Sequence, residues 1–232
     1  MSTPEENGQV IDLWEEAIRS ARALAEKRKT DPKTREEAGR YEYSQREGKA
    51  RAAGVPNDAR VFLAVCAAEG LDTDAEQAAT QCVQGYEADL DAGLYRARFL
   101  FLSADIGRGK TVGCCRAAVH SHGLSFQYLD VARLHRLHGE DRTRAENCDL
   151  LVLDEIGRDV SADIAARELI LLRFNNGRLT LACGNVTLQA ICDRLLDDPA
   201  LLSRLEEQHG VYGQPYFHAC KGPSLRERKP GG

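Results

Sequence analysis

Residues 99–103, FLFLS, run directly into Ala104-Asp105-Ile106-Gly107-Arg108-Gly109-Lys110-Thr111 and from there into the helix-forming string VGCCRAAVHSHG. An apolar strand, a glycine-bearing loop closing on Gly-Lys-Thr, and a helix follow the Walker A pattern G-x-x-x-x-G-K-[ST] in its required order. That order constrains the fold, because a strand feeding straight into a helix through a tight loop is a building block of layered α/β domains. Gly107 and Gly109 let the backbone curl so that successive N–H groups converge on a phosphate, and the helix N-terminus adds its dipole. Lys110 is expected to reach the β- and γ-phosphates of ATP, and the Thr111 hydroxyl to ligate Mg2+. Ala104 stands where the pattern has its first glycine. If that position needs a positive φ, alanine is the costlier residue and nucleotide affinity suffers. The expected nucleotide-binding set is thus Ala104, Asp105, Ile106, Gly107, Arg108, Gly109, Lys110 and Thr111.

About 40 residues further on, Leu150-Leu151-Val152-Leu153 ends in Asp154-Glu155. A buried strand delivering two acids beside a phosphate loop is the Walker B arrangement: Asp154 is expected to hold Mg2+ through its water shell, and Glu155 to polarise the attacking water. A protein that only binds nucleotide has no need of the second carboxylate, so the pair predicts an ATPase. The next apolar run, Leu179–Cys183, ends at Gly184-Asn185. A polar residue at that strand tip is placed to orient the lytic water with Glu155. The competing reading is an asparagine in an ordinary strand-end turn.

The apolar runs at 99–103, 124–129, 149–154 and 178–183 alternate with stretches long enough for crossover helices. Four such runs bounded by polar or glycine residues predict buried parallel strands in an α/β fold. Before them, helices are expected at about 58–69 and 74–90. Val10, Leu13, Trp14, Ala17, Ile18, Ala21 and Leu24 recur at three- and four-residue intervals, an apolar stripe that serves either a partner or the chain's own core. From Lys27 to Arg51 nine Lys/Arg face five Asp/Glu, and Gly54-Val55-Pro56 interrupts this polar stretch. The expected organisation is a charge-rich, helical partner-binding segment at 1–53, an ATPase core at 54–226 and a tail at 227–232.

Several strings together resemble the AAA+ ATPases of the DnaC-like helicase loader and IstB-like transposition helper group. They are AGVP at 53–56, CDLLVLDEIG at 148–157, ELILLRFNNGRLTLACGN at 168–185, ALLSRL at 200–205 and GPSLR at 222–226. The resemblance implies a sheet with helices on both faces, that Arg173 and Arg178 belong to a helix–strand unit and that Asn185 closes a sensor motif. It further implies that Arg204 is an arginine finger serving a neighbour's γ-phosphate and that Arg226 lies on the nucleotide, although Leu225 replaces the aromatic residue usual beside it. The implied assembly is an ATP-dependent homo-oligomer. The implied partner is a replicative helicase, which the protein would load on single-stranded DNA, or a transposase. In this group the region corresponding to 131–146 touches single-stranded DNA; here it carries Arg133, His135, Arg136, His138, Arg142 and Arg144, offset by Glu140, Asp141 and Glu146. A P-loop small-molecule kinase is the reading from a different class, and it would need an acceptor pocket and a lid.

The net charge of −5 is not that of a dedicated duplex-DNA binder. No apolar stretch is long enough for a bilayer and no leader pattern is present, so a soluble, cytoplasmic protein without a membrane partner is expected. Most of the eight cysteines sit among apolar neighbours and read as buried free thiols. His120-x-His122, His135-x-x-His138 and His218-x-Cys220 lack the ligand spacing of a closed zinc site.

Overall fold

The computed structural model describes residues 32–194, 197, 199–212 and 216–221. The chain divides into two units, residues 1–45 and 46–232. Of the first, the described part belongs to helix α1 (Pro32–Ala52), where Glu36 and Arg40 pair one turn apart at 2.6 Å on an exposed surface. The stripe from Val10 to Leu24 lies outside the described residues, as do Arg226 and the tail.

The second unit is built on five strands: β1 (Arg98–Ser103), β2 (Phe126–Asp130), β3 (Leu150–Ile156), β4 (Leu179–Gly184) and β5 (Phe217–Ala219). Every pairing is parallel and the order across the sheet is β2-β3-β4-β1-β5. The four apolar runs are four of these strands, and β1, β3 and β4 are buried almost throughout, as strands covered on both faces must be. β5 is the strand that the sequence did not announce; it is three residues long, Phe217 and His218 half-exposed and Ala219 exposed, with Phe217 stacked on Phe101 at 5.9 Å between ring centroids.

Helices α2 (Ala59–Cys66), α3 (Asp74–Asp91) and α4 (Lys110–Val119) are followed by a 3-10 turn (Val131–Arg136) and α5 (Gly139–Asn147), then α6 (Val160–Asn175), α7 (Leu188–Arg194) and α8 (Pro199–Tyr212). Side-chain caps set several of the starts. Asp58 accepts the Arg60 and Val61 amides, Thr73 accepts Glu76 and Asp159 accepts Ala162. Because successive strand residues point to opposite faces, Phe99 and Phe101 pack with Ala166, Leu169 and Ile170 of α6 and Leu201 and Leu205 of α8. Leu100 and Leu102 therefore face the other side, where α4 packs against α3. The expected parallel α/β fold with helices on both faces is what the chain adopts, and it is the architecture that the sequence resemblance implies for an AAA+ core.

At the opposite end of the sheet from the phosphate loop, Arg173 is fully buried. Its guanidinium donates to the carbonyls of Ala145, Cys148, Asp149 and Leu179 and to the Thr180 hydroxyl, at 2.6–3.4 Å. Nearby Arg178 pairs with Asp149 at 2.5 Å. Burial pulls the Arg173 pKa down, yet an arginine keeps its proton at any physiological pH.

Candidate nucleotide site

The strand order puts β4 between the strand that carries the phosphate loop and the strand that carries the acids. The C-terminal ends of β1, β3 and β4 thus open on one edge, the place where parallel sheets of this kind bind ligands. Gly107 and Gly109 take positive φ angles of 87° and 79°, so the loop's two left-handed turns both fall on glycines. Among the described residues the only non-glycines with positive φ are Asp72 and Glu155. Ala104 is not one of them, so the expected cost of alanine there does not arise: the methyl group sits on backbone that any residue adopts. Gly109 is the N-cap of α4 and brings no side-chain cap. The first-turn amides of α4 are therefore not claimed by a capping side chain, which suits an anion-binding helix end.

Lys110, 8% exposed, donates from Nζ to the carbonyls of Ala104 (2.7 Å) and Asp105 (3.0 Å) and to Asn185 Oδ1 (2.7 Å). The loop lysine and the exposed asparagine at the tip of β4 are therefore in contact across the sheet edge. Thr111 Oγ1 donates to Asp154 Oδ2 at 2.9 Å, joining the start of α4 to the end of β3. Lys110 thus meets Asn185, and Thr111 meets Asp154; all four are among the residues expected at the site. Asp105 and Ile106 are exposed on the outer side of the loop, and Arg108 lies 4.0 Å from Asp105.

Asp154 is 6% exposed and has two further side-chain partners that sequence reasoning missed. The Tyr128 hydroxyl donates to Oδ2 at 2.8 Å and the Cys183 thiol to Oδ1 at 2.9 Å, while the Glu155 amide takes Oδ1 at 2.9 Å. Burial, then the adjacent Asp154 charge, pushes the Tyr128 phenol far above its ordinary pKa. A hydrogen bond with Cys114, then burial and Asp154, raises the Cys183 thiol well above its own. Both groups hence stay protonated as donors. Neither stands in a motif; a tyrosine two residues before the end of β2 and a cysteine two before Asn185 become neighbours of Asp154 only through strand register.

Glu155 sits at φ 66°, where β3 carries one extra residue relative to β4: Leu153 pairs with Ala182, and Ile156 with Gly184. Such a bulge bends the strand and re-aims its side chains. The Glu155 carboxylate lies 3.1 Å from Arg158 Nε, an exposed arginine one turn on that the sequence did not single out. Arg204 lies half-buried on α8, and its described hydrogen bond is to the Ala200 carbonyl of its own helix at 3.1 Å. Arg133, His135, Arg136, His138 and Arg144 are exposed, whereas Arg142 is tied to Glu146 at 2.6 Å. Among the described residues no helix is long and apolar enough to cross a membrane.

Comparison with solved structures finds a DnaC helicase loader, 17% identical with a TM-score of 0.49 over 70% of this chain and 99% of that one. A DnaI structure is 18% identical with a TM-score of 0.47, over 68% and 88% of the two chains. A DNA replication initiation factor is 17% identical with a TM-score of 0.44, over 62% of this chain. This chain spans less than half of that factor's length, 46%. No family model matches the chain, and no curated protein matches it.

Proposed function

We propose that this protein binds ATP with Mg2+ and hydrolyses it as an AAA+ ATPase. The observation that carries the reading is the convergence of Lys110, Thr111, Asp154 and Asn185 at the ends of three adjacent parallel strands, at 2.7–2.9 Å from one another in pairs. The residues suit the group they would hold. Left-handed glycines and an uncapped helix end suit phosphate oxygens, and a threonine hydroxyl beside a buried carboxylate is an all-oxygen donor set of the kind Mg2+ prefers. Lys110, the loop amides and Thr111 bind the nucleotide, with Asp154 fixing Thr111. Bound Mg2+ would supply charge neutralisation at the phosphates. Glu155 accepts a proton from water and Asn185 orients it.

The role follows the sequence resemblance: a loader that places a replicative helicase on single-stranded DNA. The stretch 1–53 would engage the helicase, with 54–226 as the ATPase core. The exposed basic side chains at 133–138 and Arg144 are available to a phosphate backbone. Arg204, whose described bond is to its own helix, would act on a neighbouring copy in an ATP-dependent oligomer. A transposition helper shares this core and differs in its partner.

The test is hydrolysis and binding on one set of variants. Lys110→Ala is expected to lose ATP binding, and Glu155→Gln to bind ATP while turnover falls at least a hundredfold, measured by calorimetry and phosphate release. Retained binding in Lys110→Ala sinks the phosphate-loop assignment, and near-normal turnover in Glu155→Gln removes that residue from the chemistry. Mixing Arg204→Ala with Lys110→Ala protein is expected to restore part of the activity through hybrid interfaces. Pull-down of purified replicative helicase by ATP-loaded Glu155→Gln protein, against purified transposase, decides the partner.

A further inference from the structure

Asp154 receives two hydroxyl donors on one oxygen: Thr111 and Tyr128 both reach Oδ2, at 2.9 and 2.8 Å. The second donor comes from an edge strand, and the chain holds it there firmly. The Tyr128 amide donates to the Ala53 carbonyl at 2.8 Å, and its backbone pairs with Val152 of β3. The turn after α1 thus clamps the very residue whose side chain reaches under the phosphate loop. The carboxylate's other oxygen is held by the Glu155 amide and the Cys183 thiol. A buried carboxylate with donors on both oxygens is held in one orientation, and partners of this kind set how well a carboxylate serves a metal ion.

From this geometry we infer that Tyr128 is a positioning residue for Mg2+: its hydroxyl holds Asp154 Oδ2 in the orientation that the metal requires. The inference rests on the reading of the site as an ATP–Mg2+ site. With its oxygen on a metal ion, the Thr111 hydroxyl still has its proton to donate to Oδ2, so Thr111 and Tyr128 hold that oxygen together. Tyr128 is the donor on Oδ2 that the phosphate loop does not carry, so its removal is felt when the metal binds rather than when the nucleotide alone does.

The experiment is equilibrium binding of a fluorescent ATP analogue to the full chain, titrated with Mg2+ and repeated in EDTA, for wild type and Tyr128→Phe. Phenylalanine keeps the ring and removes only the hydroxyl. Wild type is expected to bind more tightly with Mg2+. In Tyr128→Phe the Mg2+ concentration giving half of that effect rises about tenfold, within the 10–100-fold range typical of lost supporting partners, while binding in EDTA is unchanged. Should the phenylalanine variant not fold, Tyr128→Met carries the same expectation. An unshifted Mg2+ curve overturns the inference, and so does equal weakening with and without metal, which marks a purely structural side chain. If wild type itself binds no ATP, or binds it without regard to Mg2+, the underlying reading falls and the inference with it.

Discussion

Glu155 combines two demands at one position, a carboxylate for chemistry and a backbone angle that favours glycine. At φ 66° a residue with a Cβ is strained by roughly 1–2 kcal/mol, a cost that persists only where the surroundings enforce it. Here the enforcement is the bulge between Leu153 and Ile156 and the hydrogen bond that the Glu155 amide donates to Asp154 Oδ1. The usual ranking of Ala over Gly within a strand should therefore invert: Glu155→Gly is expected to be more stable than Glu155→Ala by about 1 kcal/mol. Urea unfolding of the two variants measures this, and an alanine variant of equal or greater stability would mean that the backbone relaxes away from the observed angle. The phosphate loop shows the opposite economy, since its left-handed angles fall on Gly107 and Gly109 and Ala104 needs none. The motif identified which residues belong to the loop. It did not reveal which of them carries the conformational demand, because that depends on the path of the backbone between β1 and α4.

At the level of strands and helices, the close approach of β3 and β4 decides where the site's side chains stand. A Cβ at Gly184 would run into the Ile156 carbonyl and come within 3.2 Å of the Phe101 ring. Gly184→Ala is expected to cost about 1–3 kcal/mol as overpacking against backbone that cannot yield locally. The same push separates Asn185 from Lys110, so thermal unfolding and ATP binding should fall together. A stable variant with normal binding would show that the strand ends are not rigidly coupled. β1, β3 and β4 were legible because parallel strands buried on both faces read as near-continuous apolar runs, as Phe99–Leu102 and Leu150–Leu153 do, while β2 showed only as the mixed run at 124–129. β5 was not legible: three residues, none of them buried, leave no period to read, and it is the neighbouring β1 that makes a strand of them. Tyr128 and Cys183 escaped for a related reason. Their partnership with Asp154 is created by pairing between strands distant in sequence, whereas Lys110, Thr111 and Glu155 announce themselves at fixed local spacing.

The stability of the whole unit carries a signature in pH. His120 is half-buried at the end of α4, and burial, then Arg116 and Arg46, lowers its pKa, with Glu76 and a bond to Val65 opposing. The unfolded histidine titrates near 6.5. Between that value and the lower folded pKa the unfolded chain binds more protons, so stability rises with pH across this window and is lost as pH falls through it. Asp74 adds to the trend at more acid pH. Burial alone would raise it, but the Lys221 amide and His218 hold its carboxyl below the usual range, and that contribution disappears on protonation. The urea midpoint is thus expected to fall on going from pH 7.5 to 5.5, and His120→Gln to flatten the fall; an unchanged slope in that variant assigns the effect elsewhere. Arg173 sets a different kind of limit, one of timing. Its permanent charge is tolerable inside the unit only once the 145–149 segment and the start of β4 have both brought their carbonyls to it. A half-assembled sheet that enclosed the guanidinium would hold an uncompensated ion. The enclosure must come late on the way to the native state, and by the same token it must be undone early on the way out. Arg173 is then a brake on unfolding more than an aid to folding, and it makes the lifetime of the native state, rather than the speed of reaching it, the quantity that this buried charge controls.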